Sequence, residues 1–471
     1  MTTERAPLAA GAAAAEALRG LCGGAVHLPG DDAFDEVRLP WNLSVDARPA
    51  AVAYPAFASE VADVVRTAAS VGLRVAPQGT GHGAPPLAGR LEDAVLLRTS
   101  AMTELRVDAD RRTARVGAGV RWGDVIERAG ALGLAARHTS SPGVGVVGSS
   151  LGGGLSWYAR NAGLQCSALT AVELVLADGT FVRATDADHN NLMWAARGGA
   201  GGFGVVTALE FDLLPIARVH AGMLAWDWAH AEPVLSAWSA WCGEAPESVT
   251  SMARLFQAPD VPWLPADVRG RSLVIVDAVL LEDSDRAGAL LAPLRALRPE
   301  IDTFADVPAA SVARLQLDPE APTAVYAHSV LVSDLPERAV EALVAAAGPD
   351  SGSELLFVEI RQLGGALSRP ADRAGALDRM DGAFLVLGVG IDTGAGWAAV
   401  REDAHQVMGS LEPWTSQAAY LLMTDDAQVD ARRGWPEVSW QRLAAVRQSV
   451  DPHGLFLPPH RGSEPGVNHR A

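Results

Sequence analysis

Lysine is missing from this 471-residue chain; all 38 of its basic residues are arginine. That removes a lysine Schiff base and a P-loop lysine from the available chemistry. Cysteine is scarce. Cys22, Cys166 and Cys242 are odd in number and far apart, so they form neither a disulfide framework nor a zinc pattern and read as free thiols. No run of about 20 uncharged apolar residues occurs. The Ala-rich start, Met1 to Gly24, is broken by Glu4, Arg5, Glu16 and Arg19, unlike a secretory leader. A cytoplasmic protein without a membrane partner is expected. Positive charge is not in excess either: the net charge of −18 argues against nucleic-acid partners and favours a small-molecule substrate. The histidines are scattered, with no H-E-x-x-H and no His/carboxylate cluster in the sequence, so no metal site is expected.

What is present is ample apolar material, 49% of residues, enough for two or three domains. Residues 59–72 read as a helix, with Ser59 as N-cap and Gly72 beyond its end. Strands are expected at 73–77, 94–98, 104–108 and 112–117, then a helix at 121–131. Residues 140–154 read as a long loop. Residues 172–176 and 181–184 flank a hairpin turn at Ala177-Asp178-Gly179-Thr180. A short helix at 190–196 precedes a strand at 205–213. Beyond 216, strands at 249–256, 272–281, 324–333, 353–363 and 383–392 alternate with helices at 231–242, 283–297, 334–348 and 395–410, and a last helix spans 438–450. Sheet with helices on one side should result.

Three glycine-rich runs dominate the first half: Gln78 to Gly83, Ser141 to Gly154, and Arg197 to Gly204. Each glycine gives up backbone entropy on folding, and something should offset that. Bare backbone N–H groups make anion nests, so a diphosphate is a natural ligand. Separated phosphate-sized loops without lysine point to a dinucleotide rather than a nucleoside triphosphate. Tight turns between strands are the alternative.

The runs Gln78-Gly79-Thr80-Gly81-His82-Gly83 and Ser141-Pro142-Gly143-Val144-Gly145, ending in Gly152-Gly153-Gly154, are joined by Leu192-Met193-Trp194-Ala195-Ala196-Arg197-Gly198-Gly199, Phe203-Gly204-Val205-Val206-Thr207 and Asp451-Pro452-His453-Gly454-Leu455-Phe456. In that order they resemble the berberine-bridge-enzyme-like, FAD-linked oxidase family of the vanillyl-alcohol-oxidase superfamily. The resemblance implies an α+β fold: a PCMH-type, two-subdomain FAD-binding domain over 1–215, a substrate domain over 216–410 with a mostly antiparallel sheet backed by helices, and a segment 411–471 that returns to the first domain. It implies FAD joined covalently through His82. Ser141 falls where bicovalent members carry cysteine; a hydroxyl is not a thiolate nucleophile, so single attachment is expected. The cofactor contacts it implies are Pro77, Gln78, Gly79, Thr80, Gly81, His82 and Gly83; Ser141, Pro142, Gly143, Val144, Gly145, Val147, Gly148, Ser149, Gly152, Gly153 and Gly154; and Gly204, Val205 and Val206.

The resemblance also implies an oxidase that takes a hydride from a small-molecule alcohol, amine or natural-product intermediate and passes the electrons to O₂. Val144 then sits at the position that admits or blocks O₂, and Tyr420 is the candidate base. On strand 355–363, which the resemblance lays over the flavin, Glu359 and Arg361 share one face and Ile360 and Gln362 the other. One pair should meet the substrate, so Glu359 and Gln362 are both candidates. A salt-bridged outer face is the alternative for Glu359 and Arg361. Three departures from the family pattern stand out: Gly202 before Phe203-Gly204, Tyr420-Leu421-Leu422-Met423, and Pro458-Pro459-His460-Arg461. They leave a flavoprotein with a degenerate site as an alternative. Gly199-Ala200-Gly201-Gly202-Phe203-Gly204 fits a Rossmann fingerprint by letter but precedes a strand instead of opening a helix. Gly148-Ser149-Ser150-Leu151-Gly152 fits the nucleophile elbow of a hydrolase, with Ser150 as nucleophile and partners such as Asp277 and His328, and is the alternative from another class.

Overall fold

The computed structural model describes residue 11 and residues 13–460; the reading of Glu4, Arg5 and Arg461 lies outside them. Three sheets organise the described residues. The first contains β1 (Val26–His27), β2 (Ala51–Ala53), β3 (Arg74–Gln78) and β4 (Ala94–Arg98) in the order β1-β2-β4-β3. Helix α1 (Ala58–Ser70) links β2 to β3 and buries Val61, Val64, Val65 and Ala68 against the sheet. Its N-cap is Phe57, not Ser59, and no side chain caps it; Glu60 in the first turn accepts the N–H of Ala56, which lies ahead of the helix.

The second sheet contains β5 (Leu105–Asp108), β6 (Thr113–Gly117), β7 (Leu169–Val175), β8 (Phe181–Ala184) and β9 (Val205–Asp212) in the order β5-β6-β9-β7-β8, antiparallel throughout. Between β6 and β7 run α2 (Trp122–Gly130) and α3 (Val146–Leu151); α4 (Asn190–Ala196) follows β8. The expected 140–154 loop therefore contains a helix. Its glycines hide it from a propensity reading, while buried Val146 anchors it.

The third sheet is antiparallel and has eight strands: β10 (Arg218–Asp227), β11 (Val249–Gln257), β12 (Ser272–Leu280), β13 (Ile301–Asp302), β14 (Ala305–Pro308), β15 (Tyr326–Val332), β16 (Phe357–Gln362) and β17 (Phe384–Gly390). The path runs β13-β10-β12-β11-β16-β17-β15, with β14 also on β10. Strand β10 went unseen in the sequence because eight of its ten residues are buried, so polar and apolar residues do not alternate. Helices α5 (Ala231–Glu244), α6 (Ser284–Arg295), α7 (Glu337–Ala347) and α8 (Trp397–Gly409) cover one face through the largest apolar core. The other face meets Trp157, Tyr158, Ala309 and Val312. These last belong to the segments after α3 and β14.

Past α8 the chain crosses back. Helix α9 (Glu437–Val450) packs Leu443 and Val446 into the core of the second sheet. The Asp451 carboxylate then accepts the N–H groups of Leu455 and Phe456, both at 2.8 Å. This sets up Val75 N–H to Leu455 C=O at 2.8 Å and Leu457 N–H to Val75 C=O at 2.9 Å. The free edge of β3 is thereby closed in parallel, one strand length from the first glycine loop. No described helix is long and apolar enough to cross a membrane.

Candidate active site

The first glycine loop leaves the end of β3. Gly81 has φ +84°, and a Cβ there would come within 2.6 Å of Pro40; only glycine fits the close approach. Backbone bonds from Trp41 N–H to Thr80 C=O (2.9 Å) and from Asn42 N–H to Gly81 C=O (3.4 Å) hold the loop against residues 40–42. The Trp41 indole stacks on the His82 imidazole, with centroids 4.1 Å apart and planes inclined by 12°. His82 Nδ1 lies 2.7 Å from the Thr80 hydroxyl, and buried Nε2 has no partner. Burial, and secondarily the Arg121 guanidinium, lower the imidazole to about 4, so it is neutral at pH 7. A neutral ring with an uncommitted nitrogen is a nucleophile in waiting.

The second loop is strapped to the start of α2. Trp122 N–H donates to Val144 C=O (2.9 Å), Gly123 N–H to Pro142 C=O (2.9 Å) and Val146 N–H to Val120 C=O (3.1 Å). This brings Gly145 to Thr80: a Cβ on Gly145 would lie 3.6 Å from the Thr80 hydroxyl. The first and second loops, 60 residues apart in sequence, thus share one wall. Gly83 and Gly148 are exposed, with open space where a side chain would be. Val144 is half-buried and packs against the core of the second sheet.

Other glycines answer to packing. Gly152 and Gly153 admit Leu422 and Tyr420, and Gly154 admits Gln165. Gly204, at φ +150°, lies against the Val175 carbonyl. In the third loop, Trp435 Nε1 donates to Gly198 C=O (2.9 Å), and Arg447 donates to Gly199 and Gly201 C=O (3.3 and 3.2 Å). Two expectations need correction. The Ser149 hydroxyl accepts from Trp122 Nε1 (2.8 Å) and donates to Gly145 C=O (2.8 Å), so it braces α3 and does not offer itself to a ligand. Ser150 lies inside α3 instead of on a strand-to-helix turn, so it is not at a nucleophile elbow.

On the third sheet, parity resolves the choice left open for strand β16. Glu359 pairs in register with Arg254, Arg361 with Met252, and Met252 with Asp277. All five share the face turned away from the helices. Gln362 points the other way: its amide accepts from Ser251 Oγ and donates to Cys242 C=O of α5, both at 2.9 Å. Gln362 is therefore tied to Ser251 and Cys242 through its side chain, and it also lines the small cavity that Arg361 borders.

The polar face is buried and tightly connected. Arg361 donates to Glu359 and so does the Gln316 amide, in short contacts. Arg254 binds Asp277 (2.9 Å) and Gln316 C=O (2.9 Å). Burial raises the Asp277 carboxyl to about 6 against the pull of Arg254. Asp318, linked to the Ser140 hydroxyl, is also raised, first by burial and then by Glu359. Three carboxyls face two guanidinium groups, so one proton can be held within the cluster. A small cavity between Ser140, Leu155, Trp157, Thr250 and Arg361 opens on this cluster from the second glycine loop. The Trp157 indole N–H, buried here, has no partner among the described residues.

Tyr420 is fully enclosed, and its hydroxyl accepts the Gly154 N–H at 3.1 Å. Burial pushes its phenol upward, opposite to the shift a base requires. Sequence reading missed Trp41, Arg254, Asp277, Gln316 and Asp318 as a set. Period-two parity on β11 and β12 could have grouped Arg254 and Asp277, had the strand pairing been known.

The site can be compared with known proteins. Residues 49–185 match the family model for an FAD binding domain. The chain is 32% identical to (R)-6-hydroxynicotine oxidase of Paenarthrobacter nicotinovorans over 204 residues, 43% of this chain and 44% of that protein. It is 32% identical to glucooligosaccharide oxidase of Sarocladium strictum over 188 residues, 40% and 38% of the two chains. The chain spans about half the length, or less, of the curated relatives it matches. Its fold follows that of Physcomitrella patens BBE-like 1 with a TM-score of 0.81 at 20% identity, covering 98% of both chains.

Proposed function

We propose that this chain, a berberine-bridge-enzyme-like flavoprotein by its FAD-binding domain and its fold, is an FAD-dependent oxidase of a small-molecule alcohol, amine or natural-product intermediate. The observation that carries the reading is His82, a neutral imidazole with one uncommitted ring nitrogen where two glycine loops converge. The residues present fit the cofactor. Bound FAD would supply the hydride acceptor and hand two electrons to O₂, with release of H₂O₂. His82 would hold it covalently and singly, since Ser141 offers no thiolate.

The chain's own residues divide the remaining work. The exposed Gly83 and Gly148 and the partly buried Gly143 and Gly145 would turn backbone N–H groups toward a diphosphate. Val144 would govern the approach of O₂. Glu359, fixed by Arg361 and Gln316 and with Asp318 beside it, would accept the substrate's proton. Ser140, Trp157 and Arg361 would orient the substrate beneath the sheet. Relatives named as oxidases of nicotine derivatives and oligosaccharides support the reaction class. Two expectations travel with this reading, a cytoplasmic setting and domains divided near residues 215 and 410.

Intact-mass measurement tests the reading. The purified chain should carry the added mass of one FAD, and His82→Ala should lose it while the fold persists. An unmodified wild-type mass without flavin absorbance would end the proposal.

A further inference from the structure

The scattered histidines do not stay scattered once the chain folds. His328 on β15, His405 on α8 and Asp426 in the returning segment offer three ligand atoms that all lie within 4.8 Å of one another. His405 Nε2 is 3.6 Å from Asp426 Oδ2, and the two imidazole centroids are 4.3 Å apart. We infer that this triad is a divalent transition-metal site, with zinc its natural occupant, that fastens the returning segment to the edge of the third sheet.

Three observations support it. First, the donor set is right. Two imidazoles and one carboxylate suit zinc, and solvent can complete a tetrahedron. Second, the ligands are held before any ion arrives. The Thr424 hydroxyl lies 3.3 Å from His328 Nδ1, which leaves Nε2 for a metal, and the same hydroxyl accepts the Asp426 N–H at 3.3 Å. The neighbouring Asp425 clamps Ala327 from both sides: its N–H donates to Ala327 C=O (2.7 Å) and its carboxylate accepts Ala327 N–H (2.9 Å). A partner such as Thr424 beside a metal ligand fixes its tautomer and ring direction. The Tyr326 hydroxyl, 3.3 Å from the His405 Nε2 that faces Asp426, would give way to an ion bound there. Third, there is a path in: His328 is nearly buried, but the His405 side chain is 44% exposed.

The three ligands come from a strand, a helix and the segment that leads on to α9, so an ion here would cross-link pieces that the backbone joins only over long loops. It would gain stability by closing those loops and would do no chemistry on the substrate. A bare His405–Asp426 ion pair is the competing account.

The test uses the full chain, stripped with EDTA, dialysed and titrated with zinc chloride, followed by calorimetry and by metal analysis after gel filtration. The inference expects one zinc per chain and an unfolding midpoint raised by a few degrees. His405→Ala and Asp426→Asn should abolish stoichiometric binding and the rise in midpoint. Thr424→Val should weaken binding by about 10- to 100-fold. His230→Ala, which removes an exposed histidine elsewhere, should leave binding unchanged. Failure of the wild-type chain to retain zinc overturns the inference in favour of the ion pair. So does undiminished binding in both ligand variants. Flavin content is measured alongside and bears only on the oxidase reading.

Discussion

The two faces of the eight-stranded sheet are built to opposite rules. Toward the helices the same three central strands present Ala253, Leu255, Val276, Ala278, Val358 and Ile360. Toward the FAD-binding half they set the charged group Arg254, Asp277, Glu359 and Arg361 between Met252 and Val279 on one side and Phe256 and Ile275 on the other. Both faces are buried, so exposure does not explain the difference. Burying an aliphatic side chain stabilises a fold by about 1.5–3 kcal/mol. Burying ions costs several kcal/mol each and is at best recovered by pairing. One face therefore supplies stability and the other spends it, which is where chemistry is expected.

The sharpest break in this comparison is Glu359→Gln. Turnover should fall by about 10²- to 10⁴-fold. The fold should persist, because Gln316 can flip its amide and offer its unpartnered Oε1 to the new donor. Steady-state oxidation with the native substrate, beside a melting curve, reads both. A variant of wild-type activity would move the proton acceptor elsewhere. One residue along, the opposite pattern is expected. Ile360→Ala removes a fully buried side chain from the helix-backed face and should cost about 2–5 kcal/mol in denaturant titration, with kcat nearly intact.

Smaller effects should appear as two pH slopes of opposite sign. His138 is buried in the layer that covers the polar face, and its imidazole is lowered from 6.5 to about 4 by burial. Between those values the unfolded chain binds the extra proton. Stability from this group is therefore complete above pH 6.5 and is lost as pH falls toward 4, at up to about 1.4 kcal/mol per pH unit. Asp277 does the reverse. Its carboxyl rises from 3.8 to about 6, so the folded chain binds the extra proton and stability falls as pH climbs through that window. His138→Gln should erase the first component and Asp277→Asn the second, as read from urea midpoints between pH 4 and 7. Unchanged profiles would show that neither group carries the shift.

Much of this was legible beforehand, because most elements announce themselves by period and punctuation. Helix α1, the 177–180 turn and the order of the glycine loops fall where residue pattern places them. What escaped did so for physical reasons. Helix α3 is built, up to Leu151, from valine, glycine and serine, whose low helix propensity tertiary packing overrules. Strand β10 is apolar on both sides and lacks alternation. Parity showed that Glu359 and Arg361 share a face, but which face is covered depends on strand partners 100 residues away. Gln362 looked equivalent to Glu359 until Ser251 and Cys242 were found on its side. His328, His405 and Asp426 carry no spacing signal, since strand, helix and tail meet only in three dimensions.

The strand that feeds His82 into place keeps one edge open until Leu455 to Leu457 zip onto it. Those residues lie about 370 positions beyond the histidine in the chain. The nest around His82 cannot reach its final form until they are in place. A chain truncated before residue 455 should pair poorly with its cofactor, even though the whole segment matching the FAD binding domain is present.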